Sequence, residues 1–178
     1  MRYVLGLLIL FTGLTGMLSA KNVALEPEIK DVDSSTVLVL PMKGPYDQHE
    51  EAIKRVTEYM NKNKVTITGP MIGIYYDNPE LVKPEELNWE IGFFVSSDTK
   101  AEEPFVVKVL PRGKVASLIC VGPYDGTASC YPKLLGFIKE KGVIPAGPVR
   151  EIFLTTPKEE IKPEEYKTEI QIPVVKEK

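Results

Sequence analysis

Gly122-Pro123-Tyr124-Asp125 repeats Gly44-Pro45-Tyr46-Asp47, 78 positions earlier, and the surroundings repeat with it. At the same offset Gly69-Pro70 falls on Gly147-Pro148 and Pro79 on Pro157. After a one-residue slip, Lys83-Pro84-Glu85-Glu86 falls on Lys162-Pro163-Glu164-Glu165, and Glu90-Ile91 on Glu169-Ile170. A solenoid needs at least about three repeats. A long unit present twice points instead to two half-domains that close on each other, with a cleft where they meet.

Each half reads as strand, helix, strand, strand. In the first, Thr36–Leu40 is a β-branched and aliphatic run stopped by Pro41. A helix follows the Gly-Pro-Tyr turn: Asp47 with Glu50 has the capping-box pattern, and Ala52, Ile53, Val56 and Met60 share one helical face. Met71–Tyr76 and Trp89–Val95 complete the unit. In the second, Val115–Val121 leads in, Cys130, Tyr131, Leu134, Phe137 and Ile138 form the helical face, and Val149–Leu154 and Thr168–Val174 are the closing strands. The expected fold is α+β: duplicated strand-helix-strand-strand units, 36–95 and 115–174, forming a composite antiparallel sheet with two helices on one face and a central ligand pocket.

Outside this body, Met1-Arg2 precedes an uncharged apolar run from Tyr3 to Leu18 and then Ser19-Ala20-Lys21. Residues 1–20 therefore read as a signal peptide or a membrane anchor. Residues 21–35 are polar and aperiodic, the pattern of a linker, and 175–178 a short charged tail. The expected location is secreted or periplasmic, or membrane-anchored through residues 3–20. A formal charge of -3, with Lys scattered among Glu, gives no basic stripe, which sets nucleic acid aside. Cys120 and Cys130 lack metal-ligand spacing and His49 is the one histidine, so no metal and no cofactor are expected. The two cysteines either pair or lie separately in the core.

Strand alternation assigns faces. Ile170, Ile172 and Val174, with Ile91, Phe93 and Val95, suit the helix-covered side, which sends Glu169, Gln171, Glu90 and Phe94 to the other. In the middle strands Ile72, Ile74, Ile152 and Leu154 are assigned to the core, leaving Glu151 and Phe153 opposite Gly73 and Tyr75. One open face then collects three carboxylates and several aromatic rings, a surface suited to flat or cationic groups.

Gly122-Pro123-Tyr124, Tyr131 and Leu134 on a helix, Gly147-Pro148, Glu151-Ile152-Phe153 and the final Tyr166-x-x-Glu169-Ile-Gln-Ile-Pro173-Val174 resemble the GyrI-like family, the effector-binding domain of AraC- and MerR-type multidrug-responsive regulators. The resemblance covers about Thr36 to Val174. It implies a pocket for cationic aromatic molecules in which Glu151 and Glu169 supply charge, Glu90 adds a third acid, and Tyr75, Phe94, Phe153, Tyr124, Tyr46 and Trp89 supply walls. Trp89 falls with the core by alternation. Gly73 stands where Glu151's counterpart would be, so the halves are not equivalent.

Three functions are consistent with that resemblance. The first is non-catalytic binding of an amphipathic, cationic or aromatic ligand. The second is hydrolysis of strained electrophiles such as cyclopropanoids through Glu169 or Glu151, as in the hydrolase branch of the family. The third is a membrane-tethered receptor for a protein partner. The SOUL-related haem-binding branch shares the fold, but His49 in a first helical turn with no second axial ligand does not suit haem.

Overall fold

The computed structural model describes residues 22–155 and 161–177, so the expected leader or anchor at 1–20 lies outside the described residues. The elements are β1 (Val23–Ala24), β2 (Glu28–Val32), β3 (Ser35–Lys43), α1 (His49–Lys62), β4 (Ile67–Tyr75), β5 (Asn88–Val95), β6 (Val106–Leu110), β7 (Gly113–Val121), α2 (Tyr131–Glu140), β8 (Val143–Pro145), β9 (Val149–Phe153) and β10 (Lys167–Lys176). They form one ten-stranded antiparallel sheet, ordered β1-β7-β10-β9-β4-β5-β3-β6, with β2 on β7 and β8 on β10. The α+β architecture expected from the repeat is the one observed.

The Gly-Pro-Tyr turns do the same work in both halves. Gly44 and Gly122 have φ of 124° and 140°, where a side chain would be strained. Their N–H groups donate to the carbonyls of Leu87 and Tyr166, both at 2.9 Å. Tyr46–Gln48 and Tyr124–Cys130 then form 3₁₀ turns that lead into the helices. Asp47 lies inside the first of these turns, and Gln48 precedes α1 without a side-chain cap, which corrects the expected capping box. Ala52, Val56 and Met60 of α1 pack on Leu38, Leu40 and Ile91. Leu134 and Ile138 of α2 pack on Ala116, Leu118, Ile170 and Ile172. Cys120 and Cys130 are both buried and joined by a disulfide, which ties β7 to the start of α2.

The expected linker is corrected: β2 lies within it and pairs with β7 from Glu28↔Ser117 to Val32↔Gly113. Its sequence, Glu-Ile-Lys-Asp-Val, reads as polar because it is an edge strand, where charge discourages further pairing. The expected tail is corrected as well, since Val175 and Lys176 pair with Ile144 and Val143. The two halves exchange strands. β2, which precedes the first half, joins the second, while β6, which precedes the second, pairs with β3 of the first.

This exchange curls the sheet. β6 and β7 lie near opposite ends of the strand order, yet only Pro111 and Arg112 separate them, a link of about 10 Å at most. The helix-free face is therefore the inner one. Val37, Val39, Ile72 and Ile74 are buried there in a cluster to which no helix contributes.

Candidate functional site

Antiparallel partners share a face, and the register settles the middle strands. Gly73 pairs with Glu151 and with Ile91, while Glu151 pairs with Ile170. Glu151, Phe153, Gly73 and Tyr75 thus lie on the helix side, and Ile72, Ile74 and Ile152 lie on the inner face. This inverts the sequence assignment for β4 and β9. The assignment for β5 and β10 holds, so Glu90, Glu169 and Phe94 are separated from Glu151 by the thickness of the sheet.

The inner-face acids are neutralised. Glu90 meets Lys108 at 2.5 Å, and Glu169 meets Lys30 at 2.7 Å. Lys30 and Lys108 occupy equivalent positions of the exchanged strands β2 and β6, so this ion pair is itself duplicated. Ser117 and Gln171 also donate to Glu169, at 2.6 and 2.9 Å. Burial pushes the Glu169 carboxyl up, but Lys30, Ser117 and Gln171 outweigh it and the net shift is downward. Lys108, which burial alone would lower, is held above its ordinary value by Glu90 and Tyr76. Phe94 borders an open depression of about 440 Å³ with Ser34, Thr36 and Thr68, away from Glu151.

Glu151 is in a different situation. It is partly buried beneath the N-terminal ends of both helices, and among the described residues it has no basic partner. The Tyr131 hydroxyl, at the start of α2, donates to Glu151 Oε1 at 2.6 Å. The Tyr75 phenol lies beside the same carboxyl and, with Tyr131, favours its ionised form. Its hydroxyl lies 3.0 Å from His49 Nε2, in the first turn of α1. With Nε2 of His49 protonated, the phenol oxygen accepts from it and the Tyr75 O–H is free to point toward the carboxylate. Burial raises Glu151 above the ordinary carboxylate range, and the two phenols only partly offset it. Burial lowers His49 and raises Tyr131 and Tyr75, in each case favouring the neutral form.

Aromatic rings frame this group. His49 lies against Trp89, ring centroids 4.4 Å apart, and the Trp89 indole donates to Gly44 O at 3.1 Å. Tyr46 meets Tyr75 edge-on at 5.2 Å and anchors its hydroxyl on Asp77 O at 2.9 Å. Tyr124 meets Phe153 edge-on at 5.1 Å, stacks on Tyr166 at 4.8 Å, and donates to Thr155 O. Burial pushes the Tyr124 phenol up to about 12. The structure thus brings Glu151, Tyr75, Phe153, Tyr124, Tyr46 and Trp89 to one side, and adds His49 and Tyr131. The sequence reading used His49 only to set metal and haem aside; its position just after the Gly-Pro-Tyr turn, where both helix starts converge, was the available signal. Tyr131 was read only as helical face.

Gly73 and Glu151 are equivalent positions of the two halves and also direct register partners, so the approximate two-fold axis of the duplication passes between them. A second Glu at 73 would face the first at the close approach of paired strand residues, where like charges are destabilising. There is also no room, because a Cβ on Gly73 would stand 2.6 Å from the Tyr75 hydroxyl. The asymmetry is the form this site requires.

Comparison with known proteins bears on the family and the fold. The GyrI-like small molecule binding domain family matches residues 25–175. A DNA gyrase inhibitor of Serratia proteamaculans (strain 568) is 29% identical over 93 residues, which are 49% of this chain and 59% of that protein. The EcmrR C-terminal domain superposes with a TM-score of 0.75 at 22% identity, covering 85% of this chain and 98% of that one. In the EcmrR–DNA complex the match spans only 58% of the longer EcmrR chain. SAV2435 bound to tetraphenylphosphonium superposes with a TM-score of 0.60 at 13% identity, over 85% of this chain and 94% of that one. Likenesses at this level of identity show a shared fold.

Proposed function

The chain belongs to the GyrI-like small molecule binding domain family, and from that premise we propose that it binds a lipophilic aromatic cation between the two helix starts, with Glu151 reading the charge. One observation carries the reading. Of the three acids singled out in the sheet, Glu90 and Glu169 each have a lysine, whereas Glu151 has only phenol donors. Even a partly buried carboxylate without a cation carries a desolvation cost, and a cationic ligand removes it. Tyr46, Tyr75, Tyr124 and Phe153 offer ring surface for cation–π contact. The fold shared with SAV2435, which was solved with tetraphenylphosphonium, supports that probe as the first to use.

The proposed location is outside the cytoplasm or tethered to a membrane. It is supported by the apolar run at residues 3–18 and by the Cys120–Cys130 pair, since disulfides persist in oxidising compartments. A second reading, hydrolysis of a strained electrophile, is favoured by one feature only: the His49–Tyr75–Glu151 series can move a proton to or from a bound molecule.

Trp89 is the single tryptophan, so its fluorescence reports on the site directly. Tetraphenylphosphonium should quench it, and Glu151→Gln should weaken binding by at least about tenfold, equivalent to about 1.4 kcal/mol. Glu169→Gln, on the inner face, should leave affinity within about twofold. Equal affinity of wild type and Glu151→Gln would remove Glu151 from recognition.

A further inference from the structure

Arg150 precedes Glu151 in β9 and therefore points to the opposite, inner face. It is 6% exposed, its Nε has no hydrogen-bond partner, and among the described residues no carboxylate pairs with it. Elsewhere on this face each buried acid has its lysine, and Lys30 also meets the exposed Glu28 at 3.7 Å. Lys30 answers Glu169 and Lys108 answers Glu90, in duplicate, whereas the position equivalent to Arg150 in the first half is Ile72, an ordinary core residue. The second half has therefore gained one buried cation with which no carboxylate of the described residues pairs. Burial pulls the guanidinium below its ordinary value, the sign expected of a charge without a partner.

Arg150 lines a cavity of about 280 Å³ with Tyr76, Lys108, Leu110, Pro148 and Pro173. Lys108 is already held by Glu90 and donates to the Tyr76 hydroxyl at 2.9 Å. The phenol oxygen is thus used as an acceptor, and its O–H remains available to donate. The site offers one planar cationic fork, one hydroxyl donor and mostly apolar walls, in a volume just under the roughly 300–1,000 Å³ typical of small-molecule sites, which suits a small ligand.

We infer that this inner-face cavity is a second ligand site, for a small organic monocarboxylate. Arg150 takes the carboxylate through its guanidinium fork, Tyr76 donates to it, and Leu110 with the prolines packs the apolar body. A planar carboxylate matches the guanidinium geometry. Free phosphate or sulfate would leave the apolar walls unused and would need more donors than the site holds. The site is independent of Glu151 and lies across the sheet from it.

The test uses the full chain with benzoate, benzamide and inorganic phosphate as probes, read by calorimetry and by the Arg150 Nε–H resonance. Benzoate should bind and shift that resonance, while benzamide and phosphate should bind at least tenfold more weakly. Arg150→Met should lose at least tenfold in benzoate affinity, Arg150→Lys should fall between, and Tyr76→Phe should lose a few-fold. Tetraphenylphosphonium quenching of Trp89 should be unchanged in all three, which separates this site from the one at Glu151. Arg150→Met should also melt no lower than wild type in the absence of ligand, because it removes an uncompensated buried charge. A structural arginine would show the reverse, a clear fall in melting temperature with benzoate affinity unmoved, and that result overturns the inference. Benzamide binding as well as benzoate, or an Arg150 resonance that ignores benzoate, overturns it too.

Discussion

Gly73→Ala adds one methyl group at the axis of the duplication, and its effects on stability and on binding should have opposite signs. The new Cβ would lie 2.6 Å from the Tyr75 hydroxyl, 2.9 Å from Cζ and 3.0 Å from Cε2. The ring is rigid and is boxed by Tyr46 at 5.2 Å and His49 at 5.8 Å, so it cannot yield by a small rotation. Displacing it breaks the hydrogen bond with His49, worth about 0.5–1.5 kcal/mol, and takes the phenol away from Glu151, while the overpacking itself costs about 1–3 kcal/mol. The expected loss is about 2–4 kcal/mol in urea unfolding followed by Trp89 fluorescence. A cation reaching Glu151 must displace the same ring, and in the variant that displacement has already occurred. Tetraphenylphosphonium affinity should therefore rise, by up to about tenfold, while stability falls. Tyr75→Phe keeps the ring and removes the hydroxyl, and should show a loss of about 0.5–1.5 kcal/mol without the steric term. A variant within about 0.5 kcal/mol of wild type would mean that Tyr75 is not held over Gly73. Stability and affinity falling together would refute the idea that Tyr75 closes the site.

The remaining predictions concern pH and the inner-face charges. Burial raises Glu151, so the folded protein keeps a proton there that the unfolded chain releases; its contribution to stability is complete below about 4.5, the ordinary value, and is lost as pH rises through the raised one. Cation affinity should run the other way, growing with pH across that window as the carboxylate forms, and a flat profile between pH 4.5 and neutrality would argue against a charge-reading Glu151. His49, held below 6.5 by burial, acts with the opposite sign, stabilising above that value and losing the contribution as pH falls, so His49→Gln should steepen the Glu151 trend. On the inner face, Lys30→Met should cost about 1–3 kcal/mol, less than a fully buried pair because Lys30 is 36% exposed. Adding Glu169→Met should restore most of it in a double-mutant cycle, whereas no cost from Lys30→Met alone would show that Glu169 is satisfied without it.

The repeat carried most of the fold in legible form. Gly-Pro-Tyr turns, helical faces and strands β5 and β10, which flank the central pair, all follow from spacing, because each has one clearly apolar side. The middle strands did not, for a physical reason. Alternation says which residues share a face but not which face meets the helices, and that choice normally rests on one side being polar. In β4 and β9 both sides are largely covered, one by aromatic rings under the helices and the other by the curled sheet, so the isoleucines were drawn to the wrong side. β2 was missed because an edge strand protected by charge has the composition of a linker. The Cys120–Cys130 pairing could not be read from two cysteines ten positions apart, which suit a buried pair of thiols equally well.

A duplicated domain can build paired features away from its axis, but a single group on the axis must break the symmetry. Off the axis the two halves agree closely: Gly44 and Gly122, Tyr46 and Tyr124, and the Lys30–Glu169 and Lys108–Glu90 pairs keep equivalent positions and equivalent partners. On the axis they cannot, because Gly73 and Glu151 face each other in register and one charge-reading carboxylate leaves no place for its twin. Tyr75 then fills the vacated volume and reaches the carboxyl that its own half does not supply. The adjacent position departs from symmetry as well, Arg150 against Ile72, and strand alternation sends that change to the other side of the sheet. Two neighbouring residues of β9 thus carry opposite charges to opposite faces, neither with a counter-ion among the described residues. Both lack the ion-pair partner that Glu90 and Glu169 have, which is the physical ground for assigning a cation to one face and a carboxylate to the other.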